Sequence, residues 1–190
     1  MMYLRRLPPS MGGRMKRKPF PWRKLTPSQI DLMERIAEAG GALPYDKLEY
    51  RDLVVFEELR KLKLANMRPG GRSKLEIVLT AKGSQLRQDA YRTEQIIVRV
   101  TEPQIELLRH LDDGQPHEDS VGRTIHELPG AMFDVCRRMS LRGWVEWHGG
   151  WDGLRWARLT PAGREVLAAV DAMDDAVAQM AVAKRRGPLQ

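Results

Sequence analysis

The sequence predicts a mainly α-helical protein with short β-hairpins (α+β), built from one small unit used twice in tandem. Three observations lead there. The motif Leu-Thr-x-x-Gly follows an apolar stretch twice, at Leu79–Gly83 and at Leu159–Gly163. A Thr-x-x-Gln box opens an apolar-periodic run twice, at Thr26–Gln29 and at Thr101–Gln104. A glycine turn parts two short extended stretches ahead of each Leu-Thr pair.

Each element follows in order. "LTPSQIDLMERI" aligns with "VTEPQIELLRHL" at an offset of 75 residues. In both, the Thr and Gln side chains suit a capping box, and a proline sits in the first turn, where its missing N–H costs nothing. The apolar positions then recur at helical spacing. Farther on the offset is 80: Leu59 matches Met139, Leu64 matches Trp144, and Leu79-Thr80 matches Leu159-Thr160. Five extra residues in the second copy reconcile the two offsets, and the turn-forming stretch Asp112–Ser120 is where they belong. Each copy then continues with a short helix, near Tyr45–Tyr50 or Ser120–Leu128. A longer helix follows, near Asp52–Lys63 or Ala131–Arg142, and then a two-stranded hairpin. The threonine of Leu-Thr-x-x-Gly caps the next helix. The last helix runs from Pro161 to about Lys184.

Three helices followed by a two-stranded hairpin is the order of a winged helix-turn-helix. The stretches "LRKLKLANM…LEIVLTAKG" and "CRRMSLRGWVEW…LRWARLTPAG" resemble the MarR-like winged-helix superfamily, twice over residues 25–170. The resemblance implies two tandem winged-helix domains, DNA as a partner, and dimers formed through terminal helices. The expected division is a basic flexible arm at 1–24, domain one at 25–99, domain two at 100–165, and a C-terminal helix with a basic end at 166–190.

The formal net charge is +7, unevenly spread. Residues 1–24 carry eight Lys/Arg and no acid, residues 25–100 are net +2, residues 101–183 net −6, and the last seven net +3. Basic tails on an acidic body fit a polyanionic partner reached by the tails. The candidate nucleic-acid contacts are therefore Arg14, Lys16, Arg17, Lys18, Arg23 and Lys24 in the arm, and Arg68, Arg72 and Lys74 in the first wing. Arg60, Lys61, Arg137 and Arg138 on the third helices join them. The first wing reads as a phosphate finger because no acid interrupts it; a solvated hairpin tip is the plain alternative. Neither third helix shows the mix of Asn, Gln, Ser and Arg that suits base edges, so binding would be dominated by the backbone or weakly specific. The arm "RMKRKPFPWRK" reads as disordered or extended, able to follow phosphates or to dock on the chain's own acidic second domain.

The second wing differs. Trp144 aligns with Leu64 as a core residue, while Trp147, Trp151 and Trp156 alternate along the hairpin as a possible aromatic ridge for a partner. Packing against the chain's own body is the alternative. In the last helix Val166, Val170, Met173, Val177 and Met180 are spaced 4, 3, 4, 3, an a/d stripe suited either to a partner helix or to this chain's core.

Little points to catalysis. His110, Asp112, His117, Asp119 and His126 lie close in sequence but match no strong ligand spacing, so no metal or other cofactor is expected. The single cysteine, Cys136, aligns with Phe56 and reads as a buried small hydrophobe in a reducing compartment. No run of apolar residues is long enough for a membrane span. The expectation is a non-enzymatic, cytoplasmic, nucleoid-associated protein binding double-stranded DNA, a bacterial or phage transcriptional regulator. It would use domain two and the last helix for a homodimer or protein partner. The alternative is a protein–protein adaptor in a larger nucleoprotein or transcription complex; single-stranded nucleic acid is a third candidate partner.

Overall fold

The computed structural model describes residues 17–71, 74–150 and 153–186. A short strand β1 (Phe20–Trp22) leads into unit one: α1 (Pro27–Glu38), β2 (Ala42–Pro44), a 3-10 turn (Tyr45–Lys47), α2 (Tyr50–Lys61), β3 (Ala65–Pro69), β4 (Leu75–Leu79) and α3 (Ala81–Gln88). Unit two repeats the order with β5 (Val98–Val100), α4 (Glu102–Leu111), β6 (Arg123–Thr124), a 3-10 turn (Ile125–Glu127), α5 (Gly130–Leu141), β7 (Val145–Gly149), β8 (Arg155–Leu159) and the long α6 (Pro161–Arg186). Both units are winged-helix-like. Elements α2, β3 and β4 start 80 residues before α5, β7 and β8, while α1 starts 75 residues before α4. The extra residues of unit two therefore fall between α4 and its following 3-10 turn.

Two features differ from expectation. The short second helix of each unit is a single 3-10 turn of three residues, and Tyr50 already belongs to α2. A third strand joins each wing: β2 pairs with β4, and β6 with β8, giving the antiparallel orders β2-β4-β3 and β6-β8-β7. These strands are only three and two residues long, too short for an alternating pattern to register.

The helix starts follow the anticipated chemistry. Thr26 N–H donates to Gln29 Oε1 at 3.0 Å, and Gln29 N–H donates back to Thr26 Oγ1 at 3.3 Å. In α4, Thr101 N–H donates to Gln104 Oε1 at 2.9 Å. Leu32, Met33 and Ile36 of α1 pack with Val55, Phe56, Leu59 and Ile77 in the core of unit one.

The Leu-Thr-x-x-Gly motif has one physical reason in both units. Thr80 N–H donates to the Leu64 carbonyl (3.0 Å), and its hydroxyl donates to the Lys63 carbonyl (2.8 Å) and accepts from Gly83 N–H (3.0 Å). Thr160 repeats all three bonds with Trp144 (3.1 Å), Gly143 (2.7 Å) and Gly163 (3.1 Å). The glycine lies flat against the same carbonyl: a Cβ on Gly83 would sit 2.1 Å from the Leu64 oxygen, and one on Gly163 2.0 Å from the Trp144 oxygen. One threonine thus ends a strand, starts a helix and ties both to the corner after the preceding helix.

The second core recruits chain ends. Val166, Leu167 and Val170 of α6 and Phe20 and Trp22 of β1 join Ile105, Leu108, Met139 and Trp144. Phe20–Trp22 is therefore not part of a flexible arm. It pairs antiparallel with β5, Phe20 opposite Val100 and Trp22 opposite Val98. Two aromatic rings next to cations look like an interaction arm in sequence; here they are the apolar side of a strand that completes unit two.

Gly83→Ala and Gly163→Ala are each expected to destabilise the fold by about 1–3 kcal/mol, because a methyl group must displace a backbone carbonyl rather than a flexible side chain. Gly71→Ala, whose Cβ would meet nothing within 4 Å, is the control. Urea unfolding followed by circular dichroism checks this; equal midpoints for the three variants would refute it.

Candidate nucleic-acid and protein interface

The helices that would enter DNA grooves are α2 and α5, and they pack against each other. Val54, Val55 and Glu58 of α2 face Arg138, Leu141 and Arg142 of α5 around a small cavity of about 170 Å³. Glu58 is the polar centre of this contact. Its carboxylate accepts from Gln29 Nε2 at 2.9 Å and from Arg142 Nη2 at 3.2 Å. The Arg142 guanidinium also lies 5.6 Å from the Trp144 ring centroid, a cation–π distance.

Other contacts bind the units together. Ser28 N–H reaches the Arg142 carbonyl at 3.4 Å. Within the second core, Trp22 of β1 meets Trp144 edge to face, with centroids 6.3 Å apart and planes at 87°. Gly143 adopts φ +78°, and a Cβ there would lie 2.9 Å from Pro27 Cβ. The equivalent residue in unit one, Lys63, has the same left-handed backbone at φ 60°. Glycine stands in unit two because α1 presses on that corner.

Of the ten nominated cations among the described residues, six have carboxylate partners. Arg17 makes a two-pronged bond to Asp174, at 2.9 and 2.6 Å, and Lys24 contacts Glu165. Both acids lie on α6, so this part of the basic segment docks on the chain's own second unit. Arg23 Nε donates to the Glu94 carbonyl at 3.3 Å. Arg60 pairs with Glu57 at 3.0 Å and Arg137 with Asp134 at 4.0 Å.

The first wing is not an unopposed basic finger. Arg68 pairs with Glu76 at 3.3 Å, because β3 and β4 place these residues directly opposite. Lys74 reaches Asp46 on the 3-10 turn at 2.9 Å, and its ammonium holds the Asp46 carboxyl below the ordinary value. Both acids lie outside the wing tip in sequence, which is why the tip read as free of acid. Lys18, Lys61 and Arg138 form no ion pair with the described residues. Arg14, Lys16, Arg72 and Trp151 lie outside the described residues.

The tryptophans of the second wing do not form one ridge. Trp147 stands opposite Ala157 and Trp156 opposite His148, so the two point to opposite faces of the hairpin. Trp144 is fully buried. Trp147 is half-buried on the second core and touches Phe133 of α5, centroids 5.5 Å apart. Phe133 is 40% exposed. The outer face of α5 thus meets its wing through an aromatic contact, which sequence reasoning missed because Phe133 was read only as a helix position.

The stripe of α6 divides in two. Val166 and Val170 are fully buried in this chain's own core, and Met173 packs on its edge. They are not partner contacts. Each buried valine contributes roughly 1.5–3 kcal/mol to holding α6 on unit two. Beyond them Val177 is 54%, Met180 64% and Val182 50% exposed. Residues 176–183 are exposed without a break, a projecting stretch of helix whose apolar positions are covered by none of the described residues.

Two of the residues that hinted at chemistry, His117 and Cys136, are held by the fold. His117 Nδ1 lies 3.1 Å from the Leu159 carbonyl and its Nε2 lies 3.6 Å from Glu146. Among the described residues no group of three or more His, Cys, Asp and Glu could hold a metal ion. Cys136 is fully buried, and burial pushes its thiol up to about 11, which keeps it protonated and unreactive at neutral pH. Among the described residues no helix is long and apolar enough to cross a membrane.

Glu58 and Arg142 should be coupled across the units. In a double-mutant cycle with Glu58→Ala and Arg142→Ala, the expected interaction energy is about 0.5–2 kcal/mol. A value indistinguishable from zero would show that the contact between α2 and α5 does not depend on this pair. Compared with known protein families, with curated proteins and with solved structures, the chain matches none.

Proposed function

We propose that this chain is a protein–protein interaction module, an adaptor made of two fused winged helices that works in a larger nucleoprotein or transcription complex. One observation carries the reading: α2 and α5 pack against each other. Paired winged helices that read duplex DNA place these helices in successive major grooves, about 34 Å apart. Packed helices lie about 8–10 Å apart. The first helix of the helix-turn-helix pair, which crosses the DNA backbone ahead of the recognition helix, is here one 3-10 turn in each unit. Two exposed apolar surfaces suit a protein partner: Phe133 against Trp147, and the projecting Val177, Met180 and Val182. The latter suit a partner helix or a second copy of the chain.

A second reading keeps duplex DNA as the partner, as in a bacterial or phage regulator. The net charge of +7 favours it, as do Lys18, Lys61 and Arg138, which have no ion pair among the described residues; contact would then be to phosphates rather than by two groove-reading helices.

Two experiments separate them. In fluorescence anisotropy with a random-sequence duplex, the adaptor reading expects dissociation constants weaker than about 10 μM even at low salt, within or beyond the usual non-specific range. Binding tighter than that, with a steep loss on adding salt, would support the DNA reading. Photo-crosslinkers placed at Phe133 and at Val177 in cells are expected to give discrete protein adducts that survive nuclease. Adducts that are nucleic acid would overturn the adaptor reading.

A further inference from the structure

A groove of about 680 Å³ runs between the two units. Leu25 and Ile30 of unit one line it, and so do Trp22, Trp144 and Ala162 of the second core. The connector Ala90–Glu94 forms a further wall. That connector is held in an uncommon shape. Ala90 and Tyr91 adopt φ 51° and 63°, Tyr91 N–H donates to the Leu86 carbonyl at 2.8 Å, and the Tyr91 hydroxyl donates to Glu34. Two consecutive left-handed non-glycine residues persist only where the surroundings hold them, so the wall is preformed rather than slack.

The rim carries three cations, Arg23, Lys24 and Arg92, and two carboxylates, Glu94 and Glu165. Lys24 and Glu165 neutralise each other. Arg23 spends its Nε on a backbone carbonyl, and exposed Arg92 makes no side-chain bond with the described residues. The mouth is therefore net positive over an apolar floor. The chain's own tails do not suit it: residues 1–16 bring Arg5, Arg6, Arg14 and Lys16 with no acid, and the last seven bring Lys184, Arg185 and Arg186.

We propose that this inter-unit groove docks a short segment of a partner protein that presents one or two apolar side chains flanked by carboxylates. The proposal deepens the adaptor reading and rests on it. A floor of this kind takes one apolar anchor, and the rim selects the charge around it.

The test is a titration of the full, isotope-labelled chain, followed by amide NMR, with three peptides: Asp-Glu-Leu-Phe-Glu-Asp, Lys-Lys-Leu-Phe-Lys-Lys and Asp-Glu-Ala-Ala-Glu-Asp. The first is expected to shift the amides of Ala90–Glu94 and to bind at least about tenfold more tightly than either of the others. Arg92→Glu, at an exposed position, should weaken it by about three- to tenfold, in line with loss and reversal of one exposed ion pair. Ala162→Phe, which fills the groove, should abolish the shifts while the circular dichroism spectrum is kept. No shift at millimolar peptide, equal binding of the acidic and basic peptides, an unchanged Arg92→Glu titration, or shifts confined elsewhere would each overturn the proposal. Protein adducts from Phe133 or Val177 with an empty groove would sink the groove alone. Peptide in the groove with nucleic-acid adducts would sink the broader reading alone.

Discussion

A threonine hydroxyl that both donates to a carbonyl and accepts from an amide is the constraint on which each unit depends. Thr80 and Thr160 stand where a wing strand ends and a helix begins, and each is bonded back to the corner after α2 or α5. A helix start has unsatisfied N–H groups, and the residue after a left-handed turn has unsatisfied carbonyls. One side chain answers both. The glycine three residues on then has no freedom to carry a side chain, since the carbonyl being satisfied occupies that space. The helix that follows is thereby aimed. In unit one it is the short α3, leading into the connector; in unit two it is α6, whose first turns seal the core.

The two units are equivalent in order but not in surroundings, and the contact between them bears on particular residues of each. β1 and β5 both precede a capping box, and they pair with each other. α2 and α5 are equivalent, and they too pack together. Equivalent elements meeting in pairs is what a two-fold dimer does between separate chains. Here the relation is approximate. α1 presses on the corner at Gly143, and Glu58 bonds to Arg142. Trp144 fills the place of Leu64 because Trp22 of the first strand must be met by a larger surface. Fusing the pair into one chain removes the entropic cost of bringing two chains together, and it lets the halves diverge into different faces.

The repeat was legible because its signals are local. Capping boxes, the prolines in the first turn, the Leu-Thr-x-x-Gly ends and the helical spacing of Leu32, Met33 and Ile36 each require only near neighbours. Charge pairing was not legible. Arg68 is opposed by Glu76 only through strand register, Lys74 by Asp46 across 28 residues, and Arg17 by Asp174 across 157. A stretch free of acid in sequence carries no information about acids brought by the fold. The same limit explains β1: Phe20 and Trp22 among cations have the composition of an arm, and only the antiparallel partner at Val98–Val100 makes them a strand. The stripe of α6 had the right period but no way to say which half faces its own core.

Charge alone cannot choose the partner of this molecule. The basic segment from Arg17 to Lys24 bonds to acids of α6, so part of the net positive charge is already answered by the acidic second unit. Exposed ion pairs of this kind are each weak, and an arginine can exchange a carboxylate for a phosphate at little cost. What cannot be exchanged so easily is packing. Separating α2 from α5 would expose Val54, Val55 and Leu141 and strand Glu58 and Arg142 without each other, both of them largely withdrawn from water. Reading two grooves would demand that rearrangement; docking a protein on Phe133 and Trp147 or on the free half of α6 demands none. The difference lies in apolar area and buried charge, not in net charge, and it is why the shape of the pair weighs more than the composition of its tails.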